Sequence, residues 1–101
     1  MYIYSKKDFF KSDESVHLLT IKQPNDFTSE HIHDFLELVY TISGTITHKI
    51  DGQSYEATHN TMLFIAPGQI HSLSSTDECE FVNILIKPDF IIEYAVDNDT
   101  F

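Results

Sequence analysis

The chain has 101 residues, 42% of them hydrophobic, with eight Phe, five Tyr and a formal net charge of −10. That length fits one domain with a real core, and the charge argues against this chain itself gripping a nucleic-acid backbone or an anionic membrane surface. A single cysteine, Cys79, leaves no intramolecular disulfide and reads as a small apolar residue on a strand.

Residues 1–14 are mixed and polar and support only an opening turn or short strand. They contain no apolar signal-peptide core, and no apolar run in the chain approaches membrane-spanning length, so the chain reads as cytoplasmic. Val16 to Lys22 is rich in β-branched and apolar residues and predicts a strand. His31 to Ser43 predicts one long strand ending at Gly44. Thr45 to Ile50 alternates, Asp51-Gly52 carries the chemistry of a two-residue hairpin turn, and Gln53 to Ala57 returns. Thr61 to Ile65 is short and apolar and is turned by Pro67-Gly68; Ile70 to Ser75 and Glu80 to Lys87 are further strands. Pro88-Asp89 is a plausible start for a short C-terminal helix, with Phe90, Ile91, Tyr94 and Ala95 on one face. Seven or more short strands without a βαβ rhythm predict an all-β sandwich or barrel, one domain over 1–101 with its core at about 15–90.

Three imidazoles and one carboxylate, His31, His33, Glu37 and His71, match the ligand set of a divalent metal such as zinc, iron, manganese or nickel; the alternative reading is a polar pocket in which they contact an organic ligand or one another without metal. The numbers 31, 33 and 37 are all odd, so on one extended strand these side chains share a face, whereas a helix would turn 31 away from 33 by about 200°. Phe35 lies on the same face and is expected to wall a pocket. Asn83, polar within the apolar run Phe81-Val-Asn-Ile-Leu-Ile86, is expected to touch a ligand, as is Tyr40. His17 reads as a structural histidine, His48 as exposed before the hairpin, and His59 as solvated in a turn. The even positions Ile32, Leu36, Leu38, Tyr40 and Ile42 make the opposite face apolar too, which calls for cover by a helix or a partner; a homodimer is expected.

His31-x-His33-x-x-x-Glu37 followed by Gly44, and then Asn60-Thr-Met-Leu-Phe-Ile-Ala-Pro67-Gly68-Gln-Ile-His71, resemble the two cupin motifs. This implies a small antiparallel cupin β-barrel (a jelly-roll-like double-stranded β-helix) with the three His and the Glu at an internal metal. Asn60 stands where a Gly is usual, and Asn tolerates the left-handed backbone such a turn needs. The words Ile50-Asp-Gly-Gln-Ser-Tyr55, Leu63-Phe-Ile-Ala-Pro-Gly-Gln-Ile-His71 and Phe81-Val-Asn-Ile-Leu-Ile-Lys-Pro-Asp-Phe90 are similar to the N-terminal sensor domain of AraC-type transcription regulators. That resemblance covers roughly residues 28–91. It implies a small-molecule effector, sugars among them, and dimerisation; the helix-turn-helix pair of such regulators is absent from this chain. Two readings stand at this point: a small-molecule-sensing and dimerisation domain, or a stand-alone metal-dependent cupin enzyme of dioxygenase or isomerase type with no further catalytic residue identified.

Overall fold

The computed structural model describes residues 1–23, 29–75 and 78–90. Among the described residues nine strands follow in chain order: β1 (Tyr2–Tyr4), β2 (Val16–Gln23), β3 (His31–His33), β4 (Leu36–Ser43), β5 (Ile46–Ile50), β6 (Gln53–Ala57), β7 (Met62–Ile65), β8 (His71–Ser74) and β9 (Cys79–Ile86). They form a five-stranded sheet in the order β1-β3-β8-β5-β6 and a four-stranded sheet in the order β2-β9-β4-β7. Pairing is antiparallel except for β1, which runs parallel to β3 with Tyr2, Ile3 and Tyr4 opposite His31, Ile32 and His33. The result is an all-β, jelly-roll-like barrel, as the spacing of strand and turn signals predicts.

Most expected strands form within two residues of their expected bounds, because their turns are locally encoded. Asp51 and Gly52 both take positive φ, 50° and 83°, the backbone of a hairpin turn whose twist matches its strands. Asn60 takes φ 65° and fills the left-handed position expected of it. The long strand from His31 to Ser43 does not form as one piece. It breaks at Asp34-Phe35, and the chain passes from the five-stranded sheet (β3) to the four-stranded one (β4). Of the expected C-terminal helix, Pro88–Phe90 are helical and the remainder lies outside the described residues.

Alternation decides which side chains face inward. Glu37, Val39 and Thr41 of β4 are buried, as are Ile46, His48 and Ile50 of β5 and His71 and Leu73 of β8. Two buried clusters result. One joins Val39, Ile46, Ile50, Ile65, Leu73, Cys79 and Phe81. The other joins Phe10, Phe35 and Leu85, with Tyr4, Phe9 and Leu19 packed on it. On the outer side of the four-stranded sheet, register sets Leu18, Ile84, Leu38 and Phe64 in one row across all four strands. Leu18, Met62 and Phe64 are 62%, 50% and 55% exposed there.

Gly44 closes the turn between β4 and β5 with φ +81°, and a Cβ built on it would stand 2.5 Å from the Glu78 carbonyl oxygen. Backbone strain and a backbone clash both oppose any side chain. Gly44→Ala is expected to cost about 2 kcal/mol or more, lowering the thermal midpoint by roughly 10 °C for a domain of this size, as read by calorimetry.

Candidate functional site

The break at Asp34-Phe35 builds the site. His33 ends β3 facing inward, Phe35 turns the chain, and Glu37 opens the inward face of β4. The His33 Nδ1 donates to the Phe35 carbonyl oxygen at 2.7 Å, and the Phe35 ring stacks on the imidazole at 4.2 Å and 8°. A carbonyl only accepts, so Nδ1 carries the proton and Nε2 presents a lone pair to the interior. His71 reaches the same point from β8. It follows a turn at Gly68 (φ +82°) whose amide donates to the His33 carbonyl at 3.0 Å. Asp51 braces that turn, accepting from the Ile70 amide at 3.0 Å and from Gln69 Nε2 at 3.1 Å.

His33, Glu37 and His71 are all buried, and one ligand atom of each lies within 4.8 Å of the others. His33 Nε2 stands 3.1 Å from Glu37 Oε1, but the contact lacks hydrogen-bond geometry. His71 Nε2 is likewise buried without a hydrogen-bond partner. Two imidazole nitrogens without hydrogen-bond partners and a carboxylate, converging in a buried space, are electrostatically incomplete without a cation or a proton among them. The donor set of two imidazoles and one carboxylate, with room for further ligands, fits a divalent ion.

His31 stands beside this trio and outside its tightest cluster. It sits opposite His71 in register, with ring centroids 4.0 Å apart, and its Nδ1 donates to the Ser29 carbonyl at 2.8 Å. Phe35 and Asn83 both line the cavity that the trio opens into, a space of about 210 Å³. The Asn83 Oδ1 is buried there without a hydrogen-bond partner. Tyr40 is placed elsewhere: it is half-buried, and its hydroxyl donates to Asn60 Oδ1 rather than reaching the cavity lining. His17 is structural, paired with Glu14 at 2.9 Å, and His59 is exposed.

His48 corrects an expectation. Instead of being exposed, it is 0% exposed, with neither ring nitrogen hydrogen-bonded. The signal was present in parity, since Ile46, His48 and Ile50 alternate with Thr47 and Lys49 and share the inward face. The N-terminal segment was also missed as a contributor: Tyr2, Tyr4 and Phe9 line the cavity. Only the non-local pairing of β1 with β3 brings them there.

Residues 15–100 match the family described as AraC-like ligand binding domain. The chain belongs to the AraC-like ligand binding domain family. Among curated relatives, it is 32% identical over 84 residues to the HTH-type transcriptional activator RhaR of Escherichia coli strain K12, and equally to that of Shigella flexneri serotype 5b. Those alignments cover 83% of this chain and 30% of RhaR, so the chain spans under a third of the length of these relatives. In fold, this AraC-like domain resembles the cupin domain of Schizosaccharomyces pombe Cnp3 (TM-score 0.71, 10% identity, 89% of this chain and 67% of that one). It also resembles a cupin superfamily protein of Desulfitobacterium hafniense (TM-score 0.70, 16% identity, 77% and 72%). Both likenesses establish the cupin barrel for the AraC-like domain.

Burial lowers the His71 imidazole to about 4, against the attraction of Glu37 and helped by His31, His33 and His48. Burial lowers His48 too, again opposed by Glu37. Both folded values lie below the unfolded value near 6.5, so the unfolded chain binds protons first. The stability these groups contribute is present above that pH and is lost as pH falls toward their folded values. Metal-free protein is expected to lose about 2 kcal/mol between pH 7 and pH 5 through His71 alone. Urea midpoints across that range measure it, and His48→Leu should flatten part of the slope.

Proposed function

We propose that this chain is the effector-sensing domain of an AraC-type transcription regulator whose cavity is built around a divalent ion. His33, Glu37 and His71 hold the ion, and His31 stands as the fourth ligand beside them. The convergence of three buried ligand atoms at the head of a cavity carries this reading. Zinc, iron, manganese and nickel all suit the set, and geometry with cellular supply selects among them. An ion there supplies a Lewis-acidic anchor for an oxygen-bearing effector. The residues do the rest: Phe35 fixes the His33 tautomer, Asp51 braces the turn before His71, and Leu19, Phe81 and Leu85 give the cavity an apolar wall.

An effector acts by binding one state of the domain more tightly than another and shifting the population read by a DNA-binding partner domain. The net charge of −10 leaves the phosphate contacts to that other domain. Its place of action is the cytoplasm, consistent with the described residues, where no helix is long and apolar enough to cross a membrane. The effector is a small molecule; a sugar and a more apolar oxygen-bearing compound are the two classes in contention.

Metal content after purification without chelator tests the site. Wild-type protein is expected to carry near-stoichiometric metal. His33→Ala and His71→Ala should lose it, with affinity down by 100-fold or more, and His31→Ala should lose less. Wild-type protein that stays metal-free after reloading overturns the reading.

The apolar row across the four-stranded sheet supports a homodimer, since a second copy of the same row is self-complementary within a strongly acidic chain. Sedimentation velocity should show a dimer for wild type and a monomer for Phe64→Glu. A monomeric wild type at tens of micromolar contradicts the dimer.

A further inference from the structure

His71 is held differently from His33. The His33 ring is fixed by its own bond to the Phe35 carbonyl. His71 is the first residue of β8. It forms the last rung of the β5–β8 ladder, opposite Ile50, and the one pair at which β8 meets β3, opposite His31. Before His71 the ladder has run out, because β5 turns away at Asp51-Gly52 into the hairpin with β6. A strand end of this kind frays unless its backbone groups find other partners.

Asp51 supplies those partners. Its amide donates to the Ile70 carbonyl oxygen at 2.8 Å, and its Oδ1 accepts from the Ile70 amide at 3.0 Å. Both backbone groups of the residue before His71 are thus tied to this one residue. Its Oδ2 accepts from Gln69 Nε2 at 3.1 Å, and Gln69 Oε1 accepts from the Ala66 amide at 2.8 Å. The link therefore runs across Pro67-Gly68 and fastens the whole turn that delivers His71. The hairpin itself does not require a carboxylate. Asp51 takes φ 50°, and at such a turn Asn and Gly serve as well. Asn, however, presents one acceptor oxygen and Gly none, whereas both Asp51 oxygens are used, each by an N–H. An ionised acceptor also makes the stronger bond.

We propose that Asp51 is a positioning residue for the metal centre: from the exposed β5–β6 hairpin, its carboxylate fixes the turn at 66–70 and so sets how well His71 completes the site with His33 and Glu37. Asp51 is exposed and lies outside the trio, so it acts through the placement of His71 and not as a ligand. An imidazole that is not held in place must be ordered when the ion binds, and that entropy comes off the affinity. The role rests on the metal reading given above and adds to it a determinant of affinity on the outside of the barrel.

The test measures zinc affinity of the 101-residue chain by competition with a chelator, together with the number of imidazole ligands from X-ray absorption. Asp51→Gly keeps the backbone of the turn and removes both acceptors. It should weaken zinc by about 10–100-fold, the range for lost outer-shell support, and lower the imidazole count. Asp51→Asn returns one acceptor and should recover part of that loss. Gln53→Ala, on the far side of the same turn, should leave zinc affinity unchanged. If Asp51→Gly does not fold, Gln69→Ala breaks the same link from its other end and should weaken zinc in the same way. Zinc bound by the wild type and by these link-breaking variants with equal affinity overturns the inference and leaves the metal reading intact. A loss that Asp51→Asn does not relieve, or that Gln53→Ala shares, marks a general loosening of the hairpin and overturns it too. Wild-type chain that takes up no zinc overturns the metal reading and the role of Asp51 with it.

Discussion

One hydrogen bond organises this domain's interior: His33 Nδ1 to the carbonyl of Phe35, two residues on. It spans the point where the chain leaves one sheet for the other. The bond fixes the imidazole's tautomer and orientation while the Phe35 ring stacks on its face, so the crossover and the ligand geometry are one structural event. The same strand end accepts the Gly68 amide, which ties down the turn that delivers His71. Loosening the bend would move His33, Glu37 and His71 apart together.

Burying these groups is costly without compensation. Glu37 is a carboxylate at 6% exposure, facing His33, whose Nε2 offers a lone pair instead of a proton, and His71, whose Nε2 has no hydrogen-bond partner. A divalent ion bound there would resolve the conflict by giving all three side chains a common partner.

The strands and turns were largely legible in the sequence, because alternation and turn chemistry are local. Asp51-Gly52, Asn60 and Pro67-Gly68 each mark a turn that forms where expected. His33, Glu37 and His71 were legible as members of a motif, but the reason their side chains converge was not. Odd spacing from 31 to 37 fits a single strand, and nothing in that alternation announces the bend at Asp34-Phe35; it depends on which sheet each half joins. The role of Tyr4 and Phe9 in the cavity was invisible for the same reason, since it rests on pairing between β1 and β3 across more than twenty-five residues. His48 was readable and misread: its apolar neighbours at 46 and 50 place it inside, and proximity to a hairpin does not outweigh that. Tyr40 belongs to the opposite parity from the site, and its hydroxyl turns to Asn60.

The most direct test of the central claim is anomalous diffraction from crystals of metal-loaded protein, collected at the absorption edge of the bound metal. The account predicts one strong peak about 2.0–2.2 Å from His33 Nε2, His71 Nε2 and a carboxylate oxygen of Glu37. Metal located elsewhere, with these three side chains hydrogen-bonded to water or to an organic molecule instead, would contradict it.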